Sequence, residues 1–593
     1  MCGILAVIRK TERPLDVAAC RRALSGLSWR GPDLLASSTW NERVFLGQTI
    51  LSLTGDITDP GGGKATAASG RYQIAFNGEI YNYKALAARW LPDRMHVSES
   101  STDTEVLANL HDVLDPEKIP GELDGMYAYV ALDERAQALY LARDVQGEKS
   151  LYVYEDVDII VVSSEIPAIL SLVPNAPLDV QVLRDGFRTR HFMTFERTAH
   201  TGIRQMKAGR VERLDLRALS WSIPADRSIS DWIDPARLEA NRQRSLDSLT
   251  DELDALLSEC TREMIPSRRR FAAVVSGGVD SSLLSRYVVT HGNPDLLIAV
   301  EHVGKDRISA DLSGFEKVLG RAIDVLRIDQ APYSAEIVRC QATCAAPLGS
   351  HSFVPQSLQS ARVRSAGCRA LFGGEGGDEL FGGYDAYLDI PSAAGRYSTS
   401  PYMAHAEPEL AFSGDDPKMI QEELSSAWAR ALEAYSFVTD EREQMALAMM
   451  YADAAYQLPS VGLRGADLMS MMWSVETRSV FIRKPVVEFA LNLPLAARID
   501  PAAENKNLRT KVVLKRAFLR HYPAELLVEK QGFAGFPNES AAYLGDRADY
   551  LACDVLGIDR GAIASTSLSR ATLWKLANTE YFLRSQRGSL GRR

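Results

Sequence analysis

Two textures of apolar and polar positions follow one another along the chain. Up to about residue 205, apolar runs of strand length alternate with turn residues, at 4–8, 43–47, 72–76, 127–133, 138–143 and 159–163. This rhythm predicts an antiparallel, sheet-rich α+β domain with few helices, one of them near 103–113. Asp59-Pro60-Gly61-Gly62-Gly63 is a turn cluster without chemistry of its own. Around 215–240 the texture is polar and strand alternation is lost, which marks a linker. From about 245 the order is amphipathic helix (249–264), apolar strand (271–275), helix (281–290) and apolar strand (296–300). Strands alternating with helices predict a parallel α/β sheet. Beyond about 430 the chain is mainly helical, most clearly at 446–456 and 486–491. The expected boundaries are therefore 1–205, a linker at 206–244, and 245–593.

A length of 593 residues suits two to four domains, and 46% hydrophobic with 24% charged residues is a globular composition. The longest apolar runs, 159–162 and 296–300, fall far short of the roughly 18 residues of a membrane span. A formal charge of −10 argues against a nucleic-acid binder, and Arg268-Arg269-Arg270 reads as a solvated approach to the strand that follows. Seven scattered cysteines form no disulfide framework, so a reducing cytoplasm is expected. Cys340 and Cys344 share a helix face without a second pair of ligands, which favours packing over zinc. Nothing in the composition fixes the oligomeric state, and a homodimer is left open.

The strongest motif is Ser276-Gly277-Gly278-Val279-Asp280-Ser281-Ser282, between an apolar strand and a helix. Glycines let backbone approach an anion, and the helix N-terminus adds unpaired N–H groups and the positive end of its dipole. No Gly-Lys-Ser/Thr follows, so this is not a P-loop. A second acidic loop, Gly373-Gly374-Glu375-Gly376-Gly377-Asp378-Glu379, follows another apolar stretch. In a parallel sheet both loops would lie outside strand carboxyl ends and share one crevice, where Asp280 and Asp378 would supply oxygens to Mg²⁺ beside bound phosphates.

At the other end, Cys2 becomes the first residue once Met1 is removed, which places a thiol beside a free α-amino group that can serve as its base. Arg30-Gly31-Pro32-Asp33, Phe76-Asn77-Gly78-Glu79 and Thr102-Asp103 accompany it. The bland readings are a hairpin turn at Asn77-Gly78 and a helix cap at Asp103.

Taken together, these motifs resemble the glutamine-hydrolysing asparagine synthetases and their relatives, the β-lactam synthetases and lasso-peptide cyclases. Asp467, Met471, Glu476 and Arg478, then Lys511, Lys530 and Gly532-Phe533, continue the likeness in order. The resemblance implies an Ntn-hydrolase-like αββα sandwich followed by a parallel α/β domain of ATP-pyrophosphatase type with a helical tail. It implies an oxyanion hole from Asn77 and the Gly78 N–H, and a glutamine site holding Arg30, Glu79 and Asp103. On the synthetase side it implies an ATP site of Val274, Ser276, Gly277, Gly278, Asp280, Ser281, Ser282, Val300 and Gly374. Glu375 would take the proton of the incoming amine, and Lys530 would neutralise pyrophosphate or the acyl-adenylate.

Three departures bear on substrates. Ile50 stands where the family carries the arginine that clamps the glutamine α-carboxylate. Val480-Phe481-Ile482-Arg483 replaces a Pro-Phe-Leu-Asp segment, and His351 falls near the family's aspartate-recognising arginine, so His351 and Arg483 are candidate acceptor-binding residues. The expected activity is ATP-dependent conversion of a carboxylic acid, not aspartate, to its amide with ammonia from glutamine, releasing AMP and pyrophosphate. The rivals are an amide ligase using free ammonia or another amine, asparagine synthetase proper, and a non-catalytic glutamine or nucleotide sensor.

Overall fold

In β1 (Cys2–Arg9) only Arg9 is not buried, because this strand lies inside a sheet covered on both faces. The structure, a computed structural model, describes residues 2–53, 65–95, 101–302, 312–389, 409–528, 550–565 and 568–586. β1 pairs antiparallel with β3 (Val44–Ile50) and with β9 (Ile159–Ser163). With β2 (Leu34–Trp40), β8 (Tyr152–Glu155) and β10 (Ile203–Gln205), these strands make a six-stranded sheet in the order β10-β8-β9-β1-β3-β2. The second sheet contains β4 (Ala65–Thr66), β5 (Tyr72–Ile80), β6 (Gly125–Asp133), β7 (Ala138–Arg143), β11 (Arg210–Asp215) and β12 (Ser220–Asp226), in the order β12-β11-β7-β6-β5-β4.

Alternate residues of the two sheets meet in one apolar layer: Ile4, Ala6 and Ile8 from β1, with Ala128, Val130 and Leu132 from β6. The helices Val17–Ser25 and Ile166–Leu172 pack on the outer face of the first sheet. Tyr83–Trp90 and Asp103–Leu110 cover the second. The result is the expected αββα sandwich. The expected linker at 206–244 needs correction, because its first half supplies β11 and β12. A bulge between Val211 and Arg213, together with exposed positions along β12, blurs the period-two pattern there.

The second domain holds a five-stranded sheet, all parallel, in the order β15-β14-β13-β16-β17. Its strands are β13 (Phe271–Val274), β14 (Leu296–His302), β15 (Asp324–Ile328), β16 (Ala370–Gly373) and β17 (Glu476–Ser479). Alternation decides the faces: Phe271, Ala273 and Phe372 pack with the helices Leu246–Met264 and Val512–His521, whereas Ala272, Ile298 and Leu371 pack with Val363 and Val475. The chain leaves β13 toward β14 and β15, then returns to β16 on the other side, so the topological switch point lies between β13 and β16. The remainder is the expected helical tail, including Lys418–Ala434, Glu441–Ala452 and Arg570–Ser585. None of the described helices is long and apolar enough to cross a membrane.

Candidate active sites

The first site lies where β1, β3 and β5 meet. The backbone nitrogen of Cys2 donates to Asn77 Oδ1 at 3.0 Å. That bond turns Asn77 Nδ2 the other way, and this buried amide nitrogen has no hydrogen-bond partner. Asn77 and Gly78 sit within β5, opposite Ala128 and Tyr127, so the hairpin-turn reading fails. Gly78 is required there: a Cβ would lie 2.0 Å from the Met126 carbonyl oxygen. The helix cap belongs to Thr102, which forms a capping box with Glu105. Asp103 is instead a buried acid, accepting from the Ile80 N–H at 2.9 Å and the Thr104 N–H at 2.8 Å. Burial pushes the Cys2 thiol up, and the N-terminal charge and the Leu51 backbone partly offset this. The resting group is therefore a thiol that needs a base.

Arg30 does not face this pocket as a free cation. Its Nε donates to the Cys2 carbonyl at 3.0 Å, its Nη1 pairs with Glu165 at 3.0 Å, and its Nη2 pairs with Asp467 of the second domain at 2.9 Å. Lys149 reaches the same Asp467 at 3.2 Å. Arg30 is expected to hold glutamine, but its nitrogens are already engaged, and it braces the Cys2 carbonyl instead. Glu79 lies 3.2 Å from Arg478 Nη2, and burial pushes its carboxyl up to about 8 while Arg478 pulls it down.

The second site lies at the switch point. Gly278 is the N-cap of helix Val279–His291, Gly277 adopts φ +78°, and the Ser276 N–H donates to Ser281 Oγ at 3.0 Å. The Ser282 hydroxyl is buried without a hydrogen-bond partner. A Cβ on Gly374 would lie 3.1 Å from the Asp280 Cβ, so the loops after β13 and β16 touch as expected. Asp280 and Asp378 converge on one ammonium: Lys511 Nζ pairs with both, at 2.7 Å to Asp378. Lys515, a buried neighbour, is pushed down to about 8 by burial and by the Lys511 charge. Glu375 accepts from Ser479 Oγ at 3.1 Å and is pushed up by burial. Val274 ends β13, and Val300 lies in the adjacent strand β14, two residues before its end.

Arg483 also departs from expectation. It is neither an acceptor contact nor a surface charge, because it pairs with Asp124 of the first domain at 2.5 Å and with Glu263 at 2.7 Å. Its guanidinium also lies 4.4 Å above the Tyr81 ring. His351 sits on the loop before helix Phe353–Ser365, edge-on to Trp574 with ring centroids 6.1 Å apart. Lys530, Gly532 and Phe533 lie outside the described residues. Arg478, Ser479 and Lys515 have no role predicted from the motifs. Alternation along β17 sends Arg478 and Ser479 to opposite faces, and that was the available signal.

The chain thus joins an αββα sandwich, with Cys2 at the start of its first strand, to a parallel α/β domain with glycine-rich loops at its switch point. Residues 1–222 match the glutamine amidotransferase domain family, and residues 252–580 match the asparagine synthase family. The chain belongs to the asparagine synthase family, as a glutamine-hydrolysing, ATP-dependent amidotransferase that forms an amide and releases AMP and pyrophosphate. It is 24% identical over 618 residues to asparagine synthetase (glutamine-hydrolyzing) 3 of Bacillus subtilis, covering 98% of this chain and 94% of that protein. Asparagine synthetase (glutamine-hydrolyzing) 1 of the same organism is 25% identical, covering 91% and 87%. Amidase chry2 of Gibberella zeae is also 25% identical, covering 87% and 86%.

Proposed function

We propose that the chain amidates a carboxylic acid through an acyl-adenylate, using ammonia released at Cys2. The observation that carries this reading is the meeting of Asp280 and Asp378 at Lys511, with Glu375 nearby, at the switch point of the parallel sheet. Glycine backbone, a helix N-terminus and two lysines gather there, which suits a triphosphate. Two carboxylates close enough to share one cation also fit Mg²⁺, which is commonly tethered by one or two acids beside phosphates. When bound, the metal would supply neutralisation of phosphate charge.

In the first domain Cys2 Sγ attacks the amide carbon of glutamine, and the thiol proton passes to the α-amino group freed by loss of Met1. Asn77 Nδ2 and the Gly78 N–H face the developing oxyanion. Ammonia leaves with that proton, and water then cleaves the thioester to glutamate. Leu51, Leu53 and Met126 of the first domain and Met471 of the second form one buried apolar cluster, a lining that suits passage of neutral ammonia.

In the second domain an acceptor carboxylate oxygen attacks the α-phosphorus of ATP as the bond to the departing pyrophosphate breaks. Val274, Val300 and Gly374 suit the nucleoside, and Lys511, Lys515 and Lys530 the phosphates. Ammonia then attacks the acyl carbon and AMP departs. Glu375 takes the ammonia proton, a task that its raised affinity for protons favours. Seven free cysteines fit a reducing cytoplasm. With Arg483 locked between the domains, the acceptor is read only as a carboxylic acid, and the names of the relatives include both asparagine synthetases and an amidase.

Cys2→Ala tests the division of labour: glutamine-dependent amide formation should vanish while ammonia-dependent formation persists. Equal loss of both in a folded variant would contradict it.

A further inference from the structure

We propose that Arg478, a residue of the synthetase domain, binds the α-carboxylate of glutamine in the glutaminase pocket, so that the two domains share one glutamine site. The inference rests on the reading of Cys2 as a glutaminase nucleophile.

An α-amino acid presents an ammonium and a carboxylate side by side, and a buried site must answer each charge. Glu79 and Asp103 are the acids available to the ammonium. Strand β3 offers the carboxylate no cation, because the residue directly opposite Cys2 is Ile50. Arg30 is committed through three nitrogens to the Cys2 carbonyl, Glu165 and Asp467. Arg269 and Arg369 approach a neighbouring corner, but both face Asp33, at 3.7 and 3.5 Å.

Arg478 differs. It is 1% exposed, its Nε donates to Glu476 at 2.7 Å, and its Nη1 donates to the Met264 carbonyl. Its Nη2 lies 3.2 Å from Glu79 but makes no hydrogen bond. A buried guanidinium N–H without an acceptor is costly, and so is the Asn77 Nδ2 that shares this condition. A glutamine zwitterion would satisfy both, with its ammonium at Glu79 and Asp103, its carboxylate on Nη2 and its side-chain amide oxygen at Asn77. Glu476 and Asp103 both act on the Cys2 thiol, so the carboxylate that positions Arg478 lies within electrostatic reach of the nucleophile.

The test uses the full-length protein with glutamine and with 4-aminobutanamide, which is glutamine without the α-carboxylate. Wild type should prefer glutamine in kcat/KM by at least about 100-fold, as a site built to bind a polar group rejects its absence. In Arg478→Leu this ratio should fall to within about 10-fold. Arg478→Lys should lie between the two and serves if the leucine variant does not fold. Adding Ile50→Arg to Arg478→Leu should raise the ratio again. Equal losses on both substrates, with the ratio kept, would show a structural role and overturn the inference while leaving the glutaminase reading intact. A wild type that forms amide from ammonia but hydrolyses no glutamine would overturn the glutaminase reading, and the Arg478 assignment with it.

Discussion

Arg30 Nη2 lies 3.0 and 2.9 Å from the two carboxylate oxygens of Asp467, although 437 residues separate them in the chain. The pair is buried, and Lys149 and Glu165 complete the cluster. Asp467→Asn would remove the carboxylate that Arg30 and Lys149 share. Breaking such a buried network should cost about 3–5 kcal/mol of unfolding free energy, read by urea denaturation. Because Arg30 also holds the Cys2 carbonyl, glutamine hydrolysis should fall with stability. A change below about 1 kcal/mol would show that the cluster is not a brace.

Asn77→Ala removes the amide nitrogen left free by the Cys2–Asn77 bond. Loss of one oxyanion donor should lower kcat for glutamine hydrolysis by roughly 100- to 1,000-fold. Ammonia-dependent amide formation, measured on the same preparation, should remain. A loss of only a few fold would remove Asn77 from the oxyanion hole.

Asp378→Asn should slow ATP–pyrophosphate exchange by at least about 100-fold, because it withdraws one of two anionic oxygens at the phosphate corner. Gly383→Ala probes the same corner sterically, since a Cβ there would lie 2.0 Å from Asp378 Oδ1 and 2.3 Å from Lys511 Cε. It should reduce exchange without altering glutamine hydrolysis. Normal exchange rates in both variants would refute the placement of the phosphates.

Lys575 ties the C-terminal helix Arg570–Ser585 to the carbonyls of Phe187 and Thr189, and burial pushes its ammonium down to about 7. Unfolded, the group returns to 10.5, so between pH 7 and 10.5 the unfolded chain binds more protons. Lys575 therefore makes stability rise with pH across that window, by at most about 1.4 kcal/mol per unit, and contributes no slope below it. Lys575→Met should flatten this part of the curve when urea midpoints are compared from pH 6 to 9.5. An unchanged slope would contradict the assignment.

Much of this arrangement was legible in the sequence because its signals are local. Period-two runs gave the strands, and the loops Ser276–Ser282 and Gly373–Glu379 carry their chemistry within seven residues each. Asn77-Gly78 looked like a turn locally, and only pairing with β6 shows it to be strand. The linker was misread because β12 is exposed and β11 bulges, so neither alternates cleanly. Arg30 and Arg483 were misplaced for a different reason: their partners, Asp467 and Asp124, are hundreds of residues away, and no local pattern records such a pairing. The same holds for Arg478, whose neighbour Glu79 belongs to the other domain.

Coupling of glutamine hydrolysis to adenylation is tested by following nitrogen and phosphate together. Full-length protein, ATP, Mg²⁺ and glutamine labelled with ¹⁵N at the side-chain amide would be incubated with a panel of carboxylic acids that includes aspartate. Products would be read by mass spectrometry and phosphorus NMR. One ¹⁵N-labelled amide is expected for each AMP and each pyrophosphate formed, with glutamate as co-product. ADP and orthophosphate as the primary products, or an amide that excludes the label, would contradict it.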